Sequence, residues 1–135
     1  MEYIIKHPDE YRSLGSLIQE KEGGIVLLEG DLGTGKTTFT KVFATLLGEE
    51  SIVTSPTFSI IKEYPAVDLI HMDLYRIMDT EELLNIGFEE YLDHKWVLIE
   101  WPEVALPLLP KEVIRVSFEV IDDSTRKVRI DDLSL

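Results

Sequence analysis

The feature that most constrains this 135-residue chain is a glycine-rich segment between an apolar run and an amphipathic stretch. Residues 25–28 are all aliphatic, which is typical of a strand buried on both faces of a parallel sheet. Residues 30–37 read GDLGTGKT and match the pattern G-x-x-x-x-G-K-[ST] at every fixed position. Apolar side chains then recur at helical spacing over residues 36–47, and Gly48 is placed to end that helix. Strand, glycine turn and helix in this order are the context that a phosphate-binding loop requires.

The residue types of this segment suit the binding of a nucleoside triphosphate with magnesium. Glycines let backbone N–H groups approach phosphate oxygens, and the start of a helix adds partial positive charge. In this pattern the Lys36 ammonium reaches the β- and γ-phosphates, and the Thr37 hydroxyl ligates magnesium. A turn that merely links strand to helix is the alternative, but chance produces the full pattern in well under ~1% of chains this long. The predicted nucleotide contacts of the loop are Leu32, Gly33, Thr34, Gly35, Lys36, Thr37 and Thr38.

The remaining sequence predicts a single α/β domain over residues 1–135. Predicted strands alternate with helices through the first hundred residues, and residues 113–121 and 127–130 flank a hairpin turn. This order favours a three-layer sandwich of the P-loop nucleotide-hydrolase type, with a mainly parallel central sheet and antiparallel edge strands at the C-terminus. Strands are also predicted at residues 57–64 and 67–72. One helix is predicted to open at Asp79 and to present a shared face formed by Leu84, Phe88, Tyr91 and Leu92.

Composition limits the cellular setting and the partners. The formal net charge is −13, which disfavours unaided binding to nucleic acid, so a partner would have to hold any RNA. The absence of cysteine excludes disulfides and thiolate chemistry. No apolar run approaches the ~20 residues needed to span a bilayer, and the N-terminus lacks the pattern of a signal peptide. We therefore expect a cytoplasmic protein that does not contact membranes.

Two acidic residues at predicted strand ends are candidates for chemistry at the phosphates. Glu100 follows the apolar run of residues 96–99, and Asp73 follows residues 69–72. Magnesium at such sites needs a carboxylate at the end of a neighbouring strand. We assign Glu100 to the metal and Asp73 to orienting or deprotonating the attacking group, and the exchange of these two roles stays open.

Several other residues have both a functional and a structural interpretation. Thr57 lies in a loop of the kind that senses the γ-phosphate, although a simple proline turn fits equally well. Trp101 is as compatible with a place beside the nucleotide as with the core. We interpret His71 as a structural hydrogen-bonding residue, while Arg76 either neutralises phosphate charge or pairs with acids. The acidic stretch at residues 77–94 is either a solvated helix face or a docking patch for a basic partner.

Together these motifs resemble the TsaE family (also called YjeE), the ATPase component of bacterial threonylcarbamoyladenosine tRNA modification. The resemblance is carried by GDLGTGKTT at 30–38, SPTF at 55–58, HMDLYR at 71–76, EEL at 81–83 with Gly87, and LIEWP at 98–102. The motifs stand in the family's order and spacing. HMDLYR and LIEWP are the specific part, because many ATPases share the glycine loop. Thr34 stands where the family more often has alanine.

The resemblance implies that the chain hydrolyses ATP with Mg²⁺ and works with the family's TsaB and TsaD proteins. In that system TsaD transfers the threonylcarbamoyl group to adenosine 37 of tRNA, so the tRNA is held by the partners. By position, the resemblance assigns Lys36 and Thr37 to phosphate and metal, Glu100 to magnesium, and Asp73 with Thr57 to the surroundings of the γ-phosphate. The residues that it places at the border of the nucleotide are Glu10 and Arg126.

Two other classes of nucleotide-binding protein fit the sequence less well. A small-molecule kinase usually brings several arginines and a mobile lid, yet Arg76 is the only arginine between residues 13 and 114 and no lid-sized insertion is present. A small GTPase would need an Asn-Lys-x-Asp segment to read guanine, and the sequence has none. The kinase is therefore the main alternative to the partner-dependent ATPase.

Overall fold

The structure is a computed structural model that describes residues 1–31, 33–51 and 60–132. The strands in this part of the chain are β1 (Glu2–Ile5), β2 (Gly24–Glu29), β3 (Ile61–Tyr64), β4 (Leu69–Asp73), β5 (Trp96–Glu100), β6 (Ile114–Asp122) and β7 (Thr125–Asp132). The α-helices are α1 (Tyr11–Gln19), α2 (Lys36–Leu47), α3 (Thr80–Asn85) and α4 (Phe88–Tyr91). Shorter 3₁₀ segments lie at Pro8–Glu10, Pro65–Val67 and Pro102–Leu108.

The seven strands of the described residues form one mixed sheet in the order β1-β7-β6-β2-β5-β4-β3. Strands β6, β2, β5 and β4 are parallel to one another. At one edge β7 and β1 pair antiparallel, which agrees with the antiparallel C-terminal edge that the sequence predicts. The opposite edge is also antiparallel, because β3 folds back on β4. The mainly parallel centre therefore lies between two antiparallel edges.

Strand β2 lies in the middle of the sheet because both of its faces are apolar. Val26 and Leu28 pack in one core with α1 and α2, whereas Ile25 and Leu27 pack in a second core with α3 and α4. Helices thus cover both faces of the central sheet, giving three layers. In the part of the chain that the structure describes, every helix is too short or too polar to cross a membrane.

The helix predicted to open at Asp79 is interrupted, so that prediction is wrong in its length and, on the predicted face, wrong for Leu84. The N-cap is confirmed, since the Asp79 carboxylate accepts a hydrogen bond from the Glu82 N–H at 2.9 Å. Gly87 then takes φ 77°, a left-handed conformation that ends one helix and starts the next with a different phase. In the first helix Leu83 is fully buried and Leu84 is 45% exposed. Phe88, Tyr91 and Leu92 do pack in the core, as predicted.

The two strands predicted around Pro65 are present with shorter bounds. The structure has Ile61–Tyr64 and Leu69–Asp73, joined by the 3₁₀ segment Pro65–Val67. The predicted start of the first of these strands at residues 57–59 lies outside the described residues. The second strand extends to Asp73, which becomes its last residue and not the residue after it.

Candidate functional site

A cleft of about 450 Å³ opens at the carboxyl ends of the central parallel strands. This is where open α/β sheets place their ligands, and the volume lies in the range of small-molecule sites. Its walls are formed by Gly33 and Gly35 of the glycine loop, the start of α2, the ends of β4 and β5, the β1–α1 connection and the β6–β7 turn. The predicted site residues on these walls are Gly33, Gly35, Lys36, Thr37, Thr38, Asp73, Glu100, Trp101 and Arg126.

The remaining predicted residues are placed differently. Thr34 is buried inside the glycine loop, where its hydroxyl donates a hydrogen bond to the Asp31 carbonyl at 2.7 Å. Glu10 is exposed, its carboxylate accepts from the Lys6 N–H at 3.2 Å, and it is not on the described wall of the cleft. Leu32 and Thr57 lie outside the described residues.

Lys36 is the first residue of α2 and is almost fully buried at the floor of the cleft. Its ammonium donates a hydrogen bond to the Gly30 carbonyl and lies 4.0 Å from the centre of the Trp101 ring. Burial lowers the pKa of Lys36 below its ordinary value, and the nearby Glu100 and Asp73 carboxylates oppose this change. The cleft therefore presents a partly desolvated cation, which an entering anion would meet with little competing water.

Trp101 forms the cleft wall beside this ammonium. Its backbone is left-handed, with φ 56°, a conformation that non-glycine residues rarely adopt and that clusters at functional sites. The ring packs against Tyr75 in a tilted arrangement, with 4.9 Å between ring centres and 55° between the ring planes. Of the two interpretations that the sequence left open for Trp101, the structure places it on the cleft wall, not in the core.

The two candidate carboxylates lie side by side. Asp73 and Glu100 are register partners at the ends of adjacent parallel strands, and both line the cleft. The Asp73 carboxylate accepts a hydrogen bond from the Tyr75 N–H at 3.0 Å and is half-buried. Glu100 is only 3% exposed, and its Oε2 lies 2.6 Å from Nε2 of His71. The sequence predicted that both acids lie at strand ends and act at the phosphates, but it did not predict the contact with His71.

Arg126 connects the β6–β7 turn to the glycine loop. Its guanidinium donates to the Gly33 carbonyl at 3.4 Å, to the Asp122 carbonyl at 2.9 Å and to the Thr125 carbonyl at 3.2 Å. The turn is thereby held against the loop, and Arg126 lines the cleft.

Tyr11, the first residue of α1, lines the cleft but is not among the site residues predicted from the sequence. The side chain is buried against Phe39 and Phe118, and it also reaches the cleft beside Gly35. Burial raises the pKa of Tyr11, an effect that the Arg126 charge opposes. A tyrosine among leucine and isoleucine on a helix face can indicate a position where the core meets a polar cleft, because a buried tyrosine hydroxyl usually has a polar partner.

Gly35 is a position of the glycine loop where a side chain would be poorly tolerated. It has φ 111°, and a Cβ there would overlap the Tyr11 hydroxyl and lie 3.4 Å from its Cζ. Gly48, at the other end of α2, has a similar φ of 104° with nothing near its missing Cβ. Alanine substitutions at these two glycines therefore separate the free-energy cost of the backbone conformation from that of the overlap with Tyr11.

We expect Gly48→Ala to lower the free energy of unfolding by about 1–2 kcal/mol from backbone strain alone. Gly35→Ala should cost roughly 1–3 kcal/mol more, because the methyl group must displace Tyr11. In a double-mutant cycle, Tyr11→Phe should recover part of the Gly35→Ala loss. Urea unfolding measures all of these variants. Equal losses for the two glycine variants, or no recovery with Tyr11→Phe, would contradict this packing.

Comparison with known proteins agrees with the resemblance. A sequence model of the family described as "Threonylcarbamoyl adenosine biosynthesis protein TsaE" matches residues 5–128. A Bacillus subtilis protein named tRNA threonylcarbamoyladenosine biosynthesis protein TsaE is 42% identical over 127 residues, covering 90% of this chain and 79% of the relative. A Rickettsia felis protein of the same name is 38% identical over 128 residues, covering 91% and 75%.

A solved structure is also similar. The crystal structure of YdiB from Bacillus subtilis matches with a TM-score of 0.81 and 32% sequence identity, and the match covers 99% of this chain and 86% of that one. The family match spans nearly the whole chain, including both carboxylates and the glycine loop. The chain belongs to the TsaE family.

Proposed function

We propose that this chain is the ATP-binding and ATP-hydrolysing component of tRNA N6-threonylcarbamoyladenosine biosynthesis, acting with the TsaB–TsaD complex. The observation that carries the proposal is the convergence of Lys36, Thr37, Asp73 and Glu100 on one cleft at the start of α2. Family membership supplies the pathway, since the relatives are named as tRNA threonylcarbamoyladenosine biosynthesis proteins. A tRNA-modifying role of this kind belongs in the cytoplasm.

The cleft suits the triphosphate of ATP. It combines the N-terminus of a 12-residue helix with the Lys36 ammonium, and the Arg126 guanidinium lies at its border. These groups supply local positive potential in a molecule whose formal net charge is −13. An acidic surface would repel other polyanions, whereas these positive groups attract a triphosphate into the cleft, so nucleotide binding is compatible with tRNA being held by the partners.

The residues present also suit Mg²⁺. Among the described residues, no group of three His, Asp or Glu side chains could hold a metal unaided. Magnesium does not need one, because it is usually held by one or two carboxylates together with waters and substrate phosphates. The Thr37 hydroxyl and the Glu100 carboxylate line the cleft and would hold it. When bound, the ion neutralises charge that develops on the phosphate oxygens.

The hydrolysis that we propose is in-line attack of water on the γ-phosphate. A bond forms between the water oxygen and phosphorus while the bond to the ADP oxygen breaks. Lys36 and the N–H groups of the glycine loop stabilise the negative charge on the γ-phosphate oxygens. Asp73, more exposed than Glu100, orients the water and accepts its proton.

The experiment that tests this function is ATP turnover by the chain alone and with TsaB, TsaD and tRNA. We expect slow turnover by the isolated chain and faster turnover in the complex, because the partners complete the site. The Lys36→Ala variant, added to the same complex, controls for contaminating activity. Turnover that is the same with and without the partners would contradict the proposal, and transfer of the γ-phosphate to a metabolite would favour a kinase.

A further inference from the structure

One buried side chain, His71, contacts the Glu100 carboxylate from the core of the protein. His71 pairs with Leu98 across the parallel β4–β5 ladder, and Glu100 is two residues farther along on the same face of the sheet. The distance from His71 Nε2 to Glu100 Oε2 is 2.6 Å. The two residues are 0% and 3% exposed. The contact therefore joins the apolar core beneath α2 to the floor of the cleft.

Because both side chains are buried, the hydrogen bond between His71 and Glu100 sets the orientation of the Glu100 carboxylate. A carboxylate removed from water must find a hydrogen-bond partner, since leaving it unpaired is costly. Because a carboxylate only accepts, the Nε2–H of His71 donates. His71 itself lies in a strand whose residues 69–72 are all buried, so the donor cannot move far. Glu100 is thus held in one orientation before any ligand arrives.

The rest of the imidazole supports a role directed at Glu100. Within residues 1–31, 33–51 and 60–132, Nδ1 of His71 is buried and has no hydrogen-bond partner. A histidine that only braces the fold would be expected to satisfy both ring nitrogens, because buried polar atoms are usually paired. Here the polar contact described for the ring goes to a carboxylate that lines the cleft.

Asp73 provides the contrast. Its carboxylate accepts from the backbone N–H of Tyr75 in the turn after β4, and it is more exposed than Glu100. A carboxylate that is hydrogen-bonded to a turn near the surface can reorient more easily than one that is hydrogen-bonded to a buried histidine ring. The two neighbouring carboxylates therefore differ in rigidity, and the rigid one suits the strict ligand geometry of magnesium.

We propose that His71 is a positioning residue that aims the Glu100 carboxylate at magnesium bound with the nucleotide. This inference rests on the proposed function, because it needs a metal–nucleotide complex in the cleft. Carboxylates that ligate metals are commonly held by hydrogen bonds of this kind, and losing such a partner typically weakens metal affinity about 10- to 100-fold.

Two polar variants test the geometry. The amide nitrogen of glutamine extends about as far from Cα as Nε2 of histidine, whereas that of asparagine stops near the position of Nδ1. His71→Gln should therefore keep the hydrogen bond to Glu100, and His71→Asn should lose it. Both remain hydrogen-bonding side chains no larger than the one they replace, and thermal unfolding reports whether each is folded.

The measurement is equilibrium binding of a fluorescent ATP analogue, first in EDTA and then across a magnesium titration. We expect His71→Asn to raise the magnesium concentration for half-saturation about 10- to 100-fold. His71→Gln should stay close to the parent, and binding in EDTA should change less than about threefold in both. An unchanged magnesium requirement in His71→Asn, or an equal loss of binding in EDTA, would overturn the positioning role.

Measurements in the Glu100→Gln background test whether His71 acts through Glu100, and the parent chain's own binding tests the proposed function. If His71 acts through Glu100, adding His71→Asn to Glu100→Gln should not raise the magnesium requirement further. A full additional loss in the double variant would show that His71 acts elsewhere. If the parent chain binds no ATP analogue under any condition, the proposed function itself fails, and the inference fails with it. If the parent binds normally and His71→Asn matches it, only the inference fails.

Discussion

Replacing Lys36 by alanine should lower ATP turnover in the complex on the order of 10²- to 10³-fold and weaken binding of Mg-ATP. The ammonium is nearly buried at the start of α2, between the Gly30 carbonyl and the Trp101 ring, whereas Lys6, the other lysine on the described cleft wall, is exposed. Removal of the Lys36 ammonium takes away the positive charge on which the phosphate oxygens depend. Steady-state turnover and calorimetric binding measure the two effects.

Lys41→Ala is the matched control for that variant. Lys41 lies on the same helix, is exposed, and is absent from the described cleft wall. It removes the same formal charge from the molecule, so any effect of net charge alone appears in both variants. Similar losses for Lys41→Ala and Lys36→Ala, or full activity of Lys36→Ala, would show that the cleft is not the phosphate site.

The second large effect is expected at the two carboxylates, where the variants should fail in different ways. Glu100→Gln should lower magnesium-dependent hydrolysis about 10²-fold while ATP binding in EDTA changes little, since the charge that it removes serves the metal. Asp73→Asn should lower turnover on the order of 10²- to 10⁴-fold with Mg-ATP affinity nearly intact, since a general base acts only in the chemical step.

Glu103→Gln is the control for these carboxylate variants. Glu103 lies three residues after Glu100, close enough to influence the Lys36 charge, but it is exposed and not on the described cleft wall. Its neutral variant should therefore keep nearly full turnover. If Glu100→Gln left magnesium-dependent hydrolysis intact while Asp73→Asn abolished it, the metal and base assignments would have to be exchanged.

Local features of the fold could be predicted because they depend on neighbouring residues. The bounds of α2 follow from Gly35 and Gly48, and the buried β2 follows from its unbroken aliphatic run. The helix after Asp79 was predicted wrongly because its apolar spacing continues past Gly87, whose left-handed backbone resets the helical phase. Periodicity alone does not reveal such a change of phase.

For the candidate site, too, features that are local in sequence could be predicted and contacts between distant residues could not. The glycine loop and the two strand-end acids are local features of the sequence, so they could be proposed as parts of one phosphate site without knowing the sheet order. The pairing of His71 with Glu100 depends on the register of β4 against β5, which the sequence does not state. The contact of Arg126 with Gly33 joins residues 93 positions apart and depends on how the β6–β7 turn folds over the loop.

The central claim is that the backbone of the glycine loop and the Lys36 ammonium grip a triphosphate within an acidic protein. Titration of the folded chain with Mg-ATP in a calorimeter tests this claim most directly. The account predicts saturable binding at one site, lost in Lys36→Ala and kept in Lys41→Ala. No measurable association of the parent chain with Mg-ATP, alone or together with TsaB and TsaD, would contradict it.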